Sequence, residues 1–122
     1  MELTSHIRMA IQTIPDDESA GKKIFHTEWI LGEFILYERP DMKFVDLLDP
    51  RLLINMSPYK YRLIKMLNEG KITDPYDMIK TVFKADFLLT TNPVVCELAE
   101  KDPRFKRLYP KNRNLRIRMY AL

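Results

Sequence analysis

Apolar residues along this chain recur at two different spacings, and the changes of spacing divide it into elements. In "ELTSHIRMAIQTIP", Leu3, Ile7, Ala10 and Ile14 fall at helical intervals until Pro15 closes the run, which predicts an amphipathic helix over residues 3 to 13. "PDDESAGK" is a polar turn, and the "KIFHT" that follows is short and apolar enough for a buried strand. "EWILGEFILYER" has too many apolar positions for a one-sided strand and stops at Pro40. It therefore reads as a helix packed broadly on a sheet, with Trp29 against the strands. Gly32 inside that helix costs about 1 kcal/mol relative to Ala, which points to close approach by a neighbouring element. "KFVDLL" is a second strand, and Asp46 and Asp49 stand at its end.

Prolines give the sharpest local signal. Five follow a residue able to cap a helix: Asp49-Pro50, Ser57-Pro58, Asp74-Pro75, Asn92-Pro93 and Asp102-Pro103. A side-chain oxygen at the N-cap accepts an orphan N–H, and Pro at the first helical position lacks the donor that would be unpaired there. Each pair marks an expected helix start. "PYKYRLIKMLNEG" is then a helix stopped by Gly70, "PYDMIKTVFK" a shorter one, "ADFLLTT" a third strand and "PVVCELAEK" another helix. "FKRLY" and "LRIRMYA", joined by "PKNRN", read as an antiparallel hairpin.

The order is helix, β, α, β, α, α, β, α, β, β. Strands alternating with helices over residues 23 to 101 imply right-handed crossovers and a mainly parallel sheet, with the closing hairpin adding antiparallel edge strands. The expected fold is a small Rossmann-like α/β sandwich forming a single domain, with a helix and turn over 1–20 and the sheet core over 22–122. A chain of 122 residues buries about two-thirds of its unfolded surface, and 46% hydrophobic residues with three glycines exclude a disordered or low-complexity class.

Cys96 is the only cysteine and the two histidines, His6 and His26, lie far apart, so neither an intrachain disulfide nor a Cys/His zinc site can be assembled. No apolar run approaches the roughly 20 residues of a membrane span, and "MELTSHIRMAIQ" lacks the pattern of a signal peptide. The net charge of +3 conceals an asymmetry, because residues 104 to 118 carry seven Arg or Lys and no acid.

Ligands of doubly wound sheets sit beyond the carboxyl ends of the strands. Here that means Thr27 and Glu28, Asp46 to Asp49, and Thr90 to Asn92. One reading is a polar cleft of Glu28, Asp46, Asp49, Thr91 and Asn92. The other is that Asp49 and Asn92 cap their own helices and the rest are solvated loop residues. No glycine-rich turn follows a strand, so a nucleotide cofactor is disfavoured and none is expected. Cys96, beside Val94 and Val95, reads as a packed thiol rather than a nucleophile.

Arg104, Lys106, Arg107, Lys111, Arg113, Arg116 and Arg118 form either an anion or lipid-headgroup patch or a solvated edge that discourages sheet pairing. In "NLRIRMYAL" alternation puts Leu115, Ile117 and Met119 on one face and Arg116, Arg118 and Tyr120 on the other. Nucleic-acid binding is disfavoured, since stacking aromatics are not interleaved and basic charge alone gives only non-specific affinity.

The pattern "KIF…W..GEFILYERP…KFVD" resembles the C-terminal soluble domain of polytopic membrane glycosyltransferases and related mannosyltransferase-like proteins. Ile24 and Phe25 match its first strand, Gly32 a helix glycine, Phe34 a tyrosine, Pro40 a proline, and Phe44, Val45 and Asp46 its second strand. Glu33 replaces a second glycine and Leu47-Leu48 a Gly-Arg pair, so the role of that arginine does not carry over, Arg51 being out of register. The resemblance implies a non-catalytic, extracytoplasmic (periplasmic or extracellular) accessory domain partnered by the transmembrane portion of a larger protein, its basic hairpin near anionic headgroups. Two rivals come from the residues alone. One is a free-standing cytoplasmic enzyme with Asp46 as acid or base and Asn92 orienting an anion; the other is a binding module using the basic hairpin.

Overall fold

A computed structural model describes residues 3–15, 17, 21–28, 30–41, 43–44, 55, 57–111 and 115–122. Trp29, Asp46, Asp49, Arg113 and the latter part of the expected second strand lie outside the described residues. In chain order the elements are α1 (Leu3–Gln12), β1 (Lys23–His26), α2 (Leu31–Glu38), β2 (Lys43–Phe44), α3 (Pro58–Asn68), α4 (Pro75–Thr81), β3 (Phe87–Thr90), α5 (Pro93–Glu100), β4 (Lys106–Tyr109) and β5 (Arg118–Ala121).

The strands form one sheet in the order β2-β1-β3-β5-β4. Pairing is parallel from β2 through β1 to β3, and antiparallel from β3 through β5 to β4. The sheet is therefore mixed. β5 does not stand at the edge, where the hairpin was expected to put both of its strands; it is inserted between β3 and β4, and β4 is the edge. The reason lies in the side chains. Met119 and Tyr120 are fully buried on opposite faces of β5, which requires cover on both sides, whereas β4 begins with exposed Lys106, a charge that suits an edge.

Helices cover both faces, and the alternation along each central strand assigns its residues to one core or the other. Phe25, Leu88 and Tyr120 point toward α3, α4 and α5, where they meet Leu67, Ile79, Val95 and Phe83. The Phe25 and Phe83 rings pack edge to face with centroids 4.7 Å apart. Ile24, Phe87, Leu89 and Met119 point the other way, toward Ile7, Ile11 and Ile14 of the α1 region and Leu31 and Ile35 of α2. Leu3, placed by its spacing on the buried side of α1, is instead exposed, and Ile11 takes the inner position.

Three of the five capping pairs behave as their chemistry demands, and Asp49-Pro50 lies outside the described residues. Ser57 accepts from the amide of Lys60, Asp74 from that of Asp77, and Asn92 from those of Val94 and Val95. Asp102-Pro103 is the exception: Asp102 accepts the Arg104 amide and its carbonyl accepts that of Phe105, closing a turn rather than opening a helix. Phe105, the next residue, is buried in the core and draws the chain straight into β4.

Gly32 does mark a close approach. A Cβ there would stand 3.1 Å from Cε1 and 3.4 Å from Nε2 of His26, a fully buried ring on β1 whose Nδ1–H donates to the carbonyl of Glu28. Gly32→Ala gains about 1 kcal/mol of helix propensity but must press on a ring held in place, an overpacking cost of about 1–3 kcal/mol. Equilibrium urea unfolding should show a net loss of about 1 kcal/mol. An unchanged or raised midpoint would mean that the ring yields.

Candidate functional site

β1 and β3 are parallel neighbours, and the chain leaves them in opposite senses: from β1 through α2 to β2, and from β3 through α5 toward β4 and β5. Because α2 and α5 cover opposite faces, the carboxyl ends of β1 and β3 flank the point where the strand order reverses. Open α/β sheets place ligands there.

In this chain the side chains at that point bind one another. Glu28 Oε2 accepts the Thr27 hydroxyl at 2.5 Å and the Thr91 amide at 3.4 Å, while Oε1 accepts the Thr91 hydroxyl at 2.9 Å. Thr27 Oγ1 lies 2.7 Å from Thr90 Oγ1. Since the one hydrogen of Thr27 goes to Glu28, Thr90 must donate to Thr27, and Thr90 in turn accepts the Asn92 amide at 3.0 Å. The result is a directional chain, Asn92 to Thr90 to Thr27 to Glu28, in which each hydroxyl polarises the next and the charge sits at the end.

Asn92 is equally committed, with Oδ1 on the first amides of α5 and Nδ2 donating to the carbonyl of Asn68 at 3.4 Å. Of the expected cleft residues, Glu28, Thr91 and Asn92 are brought together; Asp46 and Asp49 are outside the described residues. Both readings of Asn92 can now be compared, and its side chain is a helix cap. Asn68 is a member that the sequence did not disclose. Its Nδ2 donates to the carbonyl of Thr27 at 3.3 Å, and its Oδ1 is buried without a hydrogen-bond partner among the described residues. In "MLNEG" it reads only as a polar residue before a helix stop.

Cys96 is buried, its thiol hydrogen directed at the carbonyl of Arg116, 3.7 Å away. Burial pushes the thiol pKa up, so the sulfur keeps its proton and lacks the thiolate character that a nucleophile needs. Among the described residues no group of three or more His, Cys, Asp or Glu gathers in a metal-holding arrangement, and no helix is long and apolar enough to cross a membrane.

The basic C-terminal segment is divided among several partners. Arg104 Nη2 lies 2.8 Å from Asp74 and 2.7 Å from Asp102, with its guanidinium 4.6 Å over the Tyr76 ring. Arg107 and Arg118 lie 3.7 and 3.6 Å from Glu100, whose Oε2 also accepts the Tyr120 hydroxyl at 2.5 Å. Burial, and then that carboxylate, push the Tyr120 phenol up, so it remains a donor. Lys106, Lys111 and Arg116 are exposed and make no ion pair among the described residues; Arg113 is outside them.

Two predictions follow from these ties. In Glu28→Gln an acceptor oxygen becomes an NH₂ group facing donors, so stability should fall by about 1 kcal/mol, the loss of a charge-assisted bond discounted for partial exposure. Unaltered urea unfolding would detach the network from stability. The second concerns pH. Asp74 lies below its ordinary pKa of 3.8 because it accepts the Asp77 amide and faces Arg104, and Asp102 does so chiefly through Arg104. A depressed folded-state pKa contributes stability above the unfolded value, and this is lost as the pH falls through the folded one. Arg104→Gln should therefore lose less stability than the wild type between neutral pH and pH below 3.8; an equal loss in both would count against the assignment.

Comparison with protein-family models, curated proteins and solved structures finds no match to this chain.

Proposed function

We propose that this chain is a non-catalytic α/β domain, Rossmann-like in plan, serving partner or substrate recognition on the extracytoplasmic side of a larger multi-span membrane protein of the glycosyltransferase kind. The observation that carries the non-catalytic part is the closed network at the strand ends. A general acid or base needs a proton or lone pair directed at substrate. Both Glu28 oxygens accept from Thr27 and Thr91, and the amide of Asn92 is divided between its helix and Asn68. Cys96 is a buried thiol. The free-standing enzyme reading needed Asp46 as acid or base, which lies outside the described residues, and Asn92 to orient an anion, a side chain that is already engaged.

Three features support the rest of the reading. Strand order β2-β1-β3 with helices on both faces agrees with a Rossmann-like plan. Of the residues that carry the glycosyltransferase-domain resemblance, Ile24 and Phe25 lie in β1, Gly32 and Phe34 in α2, Pro40 just beyond α2 and Phe44 in β2, which is compatible with that plan; Val45 and Asp46 lie outside the described residues. The exposed Lys106, Lys111 and Arg116 suit a domain held near anionic headgroups or the transmembrane portion of its parent.

Immunoblotting of fractionated native cells tests this. A band well above 14.6 kDa that sediments with membranes is expected. A soluble band at 14.6 kDa would overturn the proposal.

A further inference from the structure

An open groove of about 320 Å³ runs between α5 and the segment that enters β5. Its apolar wall is Pro93, Cys96 and Leu115, and four charged side chains, Glu97, Glu100, Arg116 and Arg118, complete it. β5 runs antiparallel to β3 with Arg118 opposite Thr90, so the groove opens at the same end of the sheet as the carboxyl ends of β1 and β3.

The charges do not cancel. Glu97 is matched by Lys101 at 3.0 Å, and Glu100 is shared by Arg107, Arg118 and the Tyr120 hydroxyl. Arg116 is left over: its Nε donates to the carbonyl of Thr91 at 3.4 Å, and no carboxylate among the described residues comes within ion-pair distance of it. That bond fixes one edge of the guanidinium and leaves its terminal nitrogens for an incoming group. A planar fork of this kind fits an oxyanion, which can accept two parallel N–H bonds. The first amides of α5 take no part, because Asn92 already occupies them. A groove of this volume lies at the lower end of small-ligand sites, so it suits a phosphate group rather than a whole nucleotide.

We propose that Arg116, in the groove that Arg118 also lines, is a seat for a phosphate oxyanion, carried by a free small molecule or by a lipid headgroup. The headgroup source rests on the proposed membrane reading, which also uses Arg116, whereas the phosphate titration reads the groove itself and can succeed where the cell fractionation fails.

The test is a titration of the labelled protein with inorganic phosphate, followed by the NMR amide shifts of Cys96, Arg116 and Arg118. In parallel the protein is sedimented with vesicles of phosphatidylglycerol and phosphatidylcholine. Saturable shifts around the groove are expected, weakened about tenfold in Arg116→Gln, as for loss of a charge-assisted bond. Arg116→Lys should retain part of the affinity, and Lys65→Gln, an exposed substitution on α3 outside the groove, all of it. Vesicle binding that disappears in Arg116→Gln would identify a headgroup as the source, and phosphate binding without vesicle binding a free ligand. Absence of saturable shifts, or shifts that Arg116→Gln leaves unaltered in a folded protein, would overturn the proposal.

Discussion

Strands β1 and β3 lie side by side with almost every residue buried on both faces, and the other elements take their places from that constraint. A strand with apolar side chains on both faces has no solvent-facing side, so it must have helices above and below and a hydrogen-bonded neighbour at each edge. β2 supplies one neighbour and β5 the other, while α1 and α2 cover one face and α3, α4 and α5 the second. At the amino ends of the pair, Asp86 completes the pairing from its side chain and amide, bonding the Lys23 amide at 3.0 Å and the Lys23 carbonyl at 2.8 Å.

The carboxyl ends of the same pair pose a different problem. Here the sheet stops, and backbone and side-chain polar groups must be satisfied in a partly buried place. The chain meets this with hydroxyls and one carboxylate, Thr27, Thr90, Thr91 and Glu28, which pair across the two strands. These bonds join the two strands at the end of the sheet where open α/β folds place ligands. An open groove of mixed character lies one strand further along, beside α5 and the entrance to β5.

The basic segment shows how tertiary structure redistributes a charge run. Seven cations and no acids in sequence suggest one patch, but Arg104 is turned to Asp74 and Asp102, and Arg107 and Arg118 converge on Glu100. Those carboxylates come from the start of α4, the turn before β4 and the end of α5. Exposed pairs of this kind contribute little energy individually. Their effect here is to tie the turn before β4 to α4, and the hairpin to α5, leaving Lys106, Lys111 and Arg116 without an ion pair among the described residues.

Local information was sufficient for most of the elements. The apolar spacing, the cap-plus-proline pairs before α3, α4 and α5, and the approach of Gly32 to β1 all rest on interactions within a few residues or on one residue's lack of a side chain, and these can be read from the sequence. The turn at Asp102-Pro103 escaped because a cap pair is compatible with both a helix and a turn, and the burial of Phe105 selects between them. Edge or interior position for β5, the reach of Arg104 to Asp74 and of Arg107 and Arg118 to Glu100, and the joining of Glu28 to Thr91 and of Asn68 to Thr27 were decided only by the tertiary structure. Each depends on contacts between residues distant in sequence, which side-chain chemistry permits in many combinations and the packing of the sheet reduces to one.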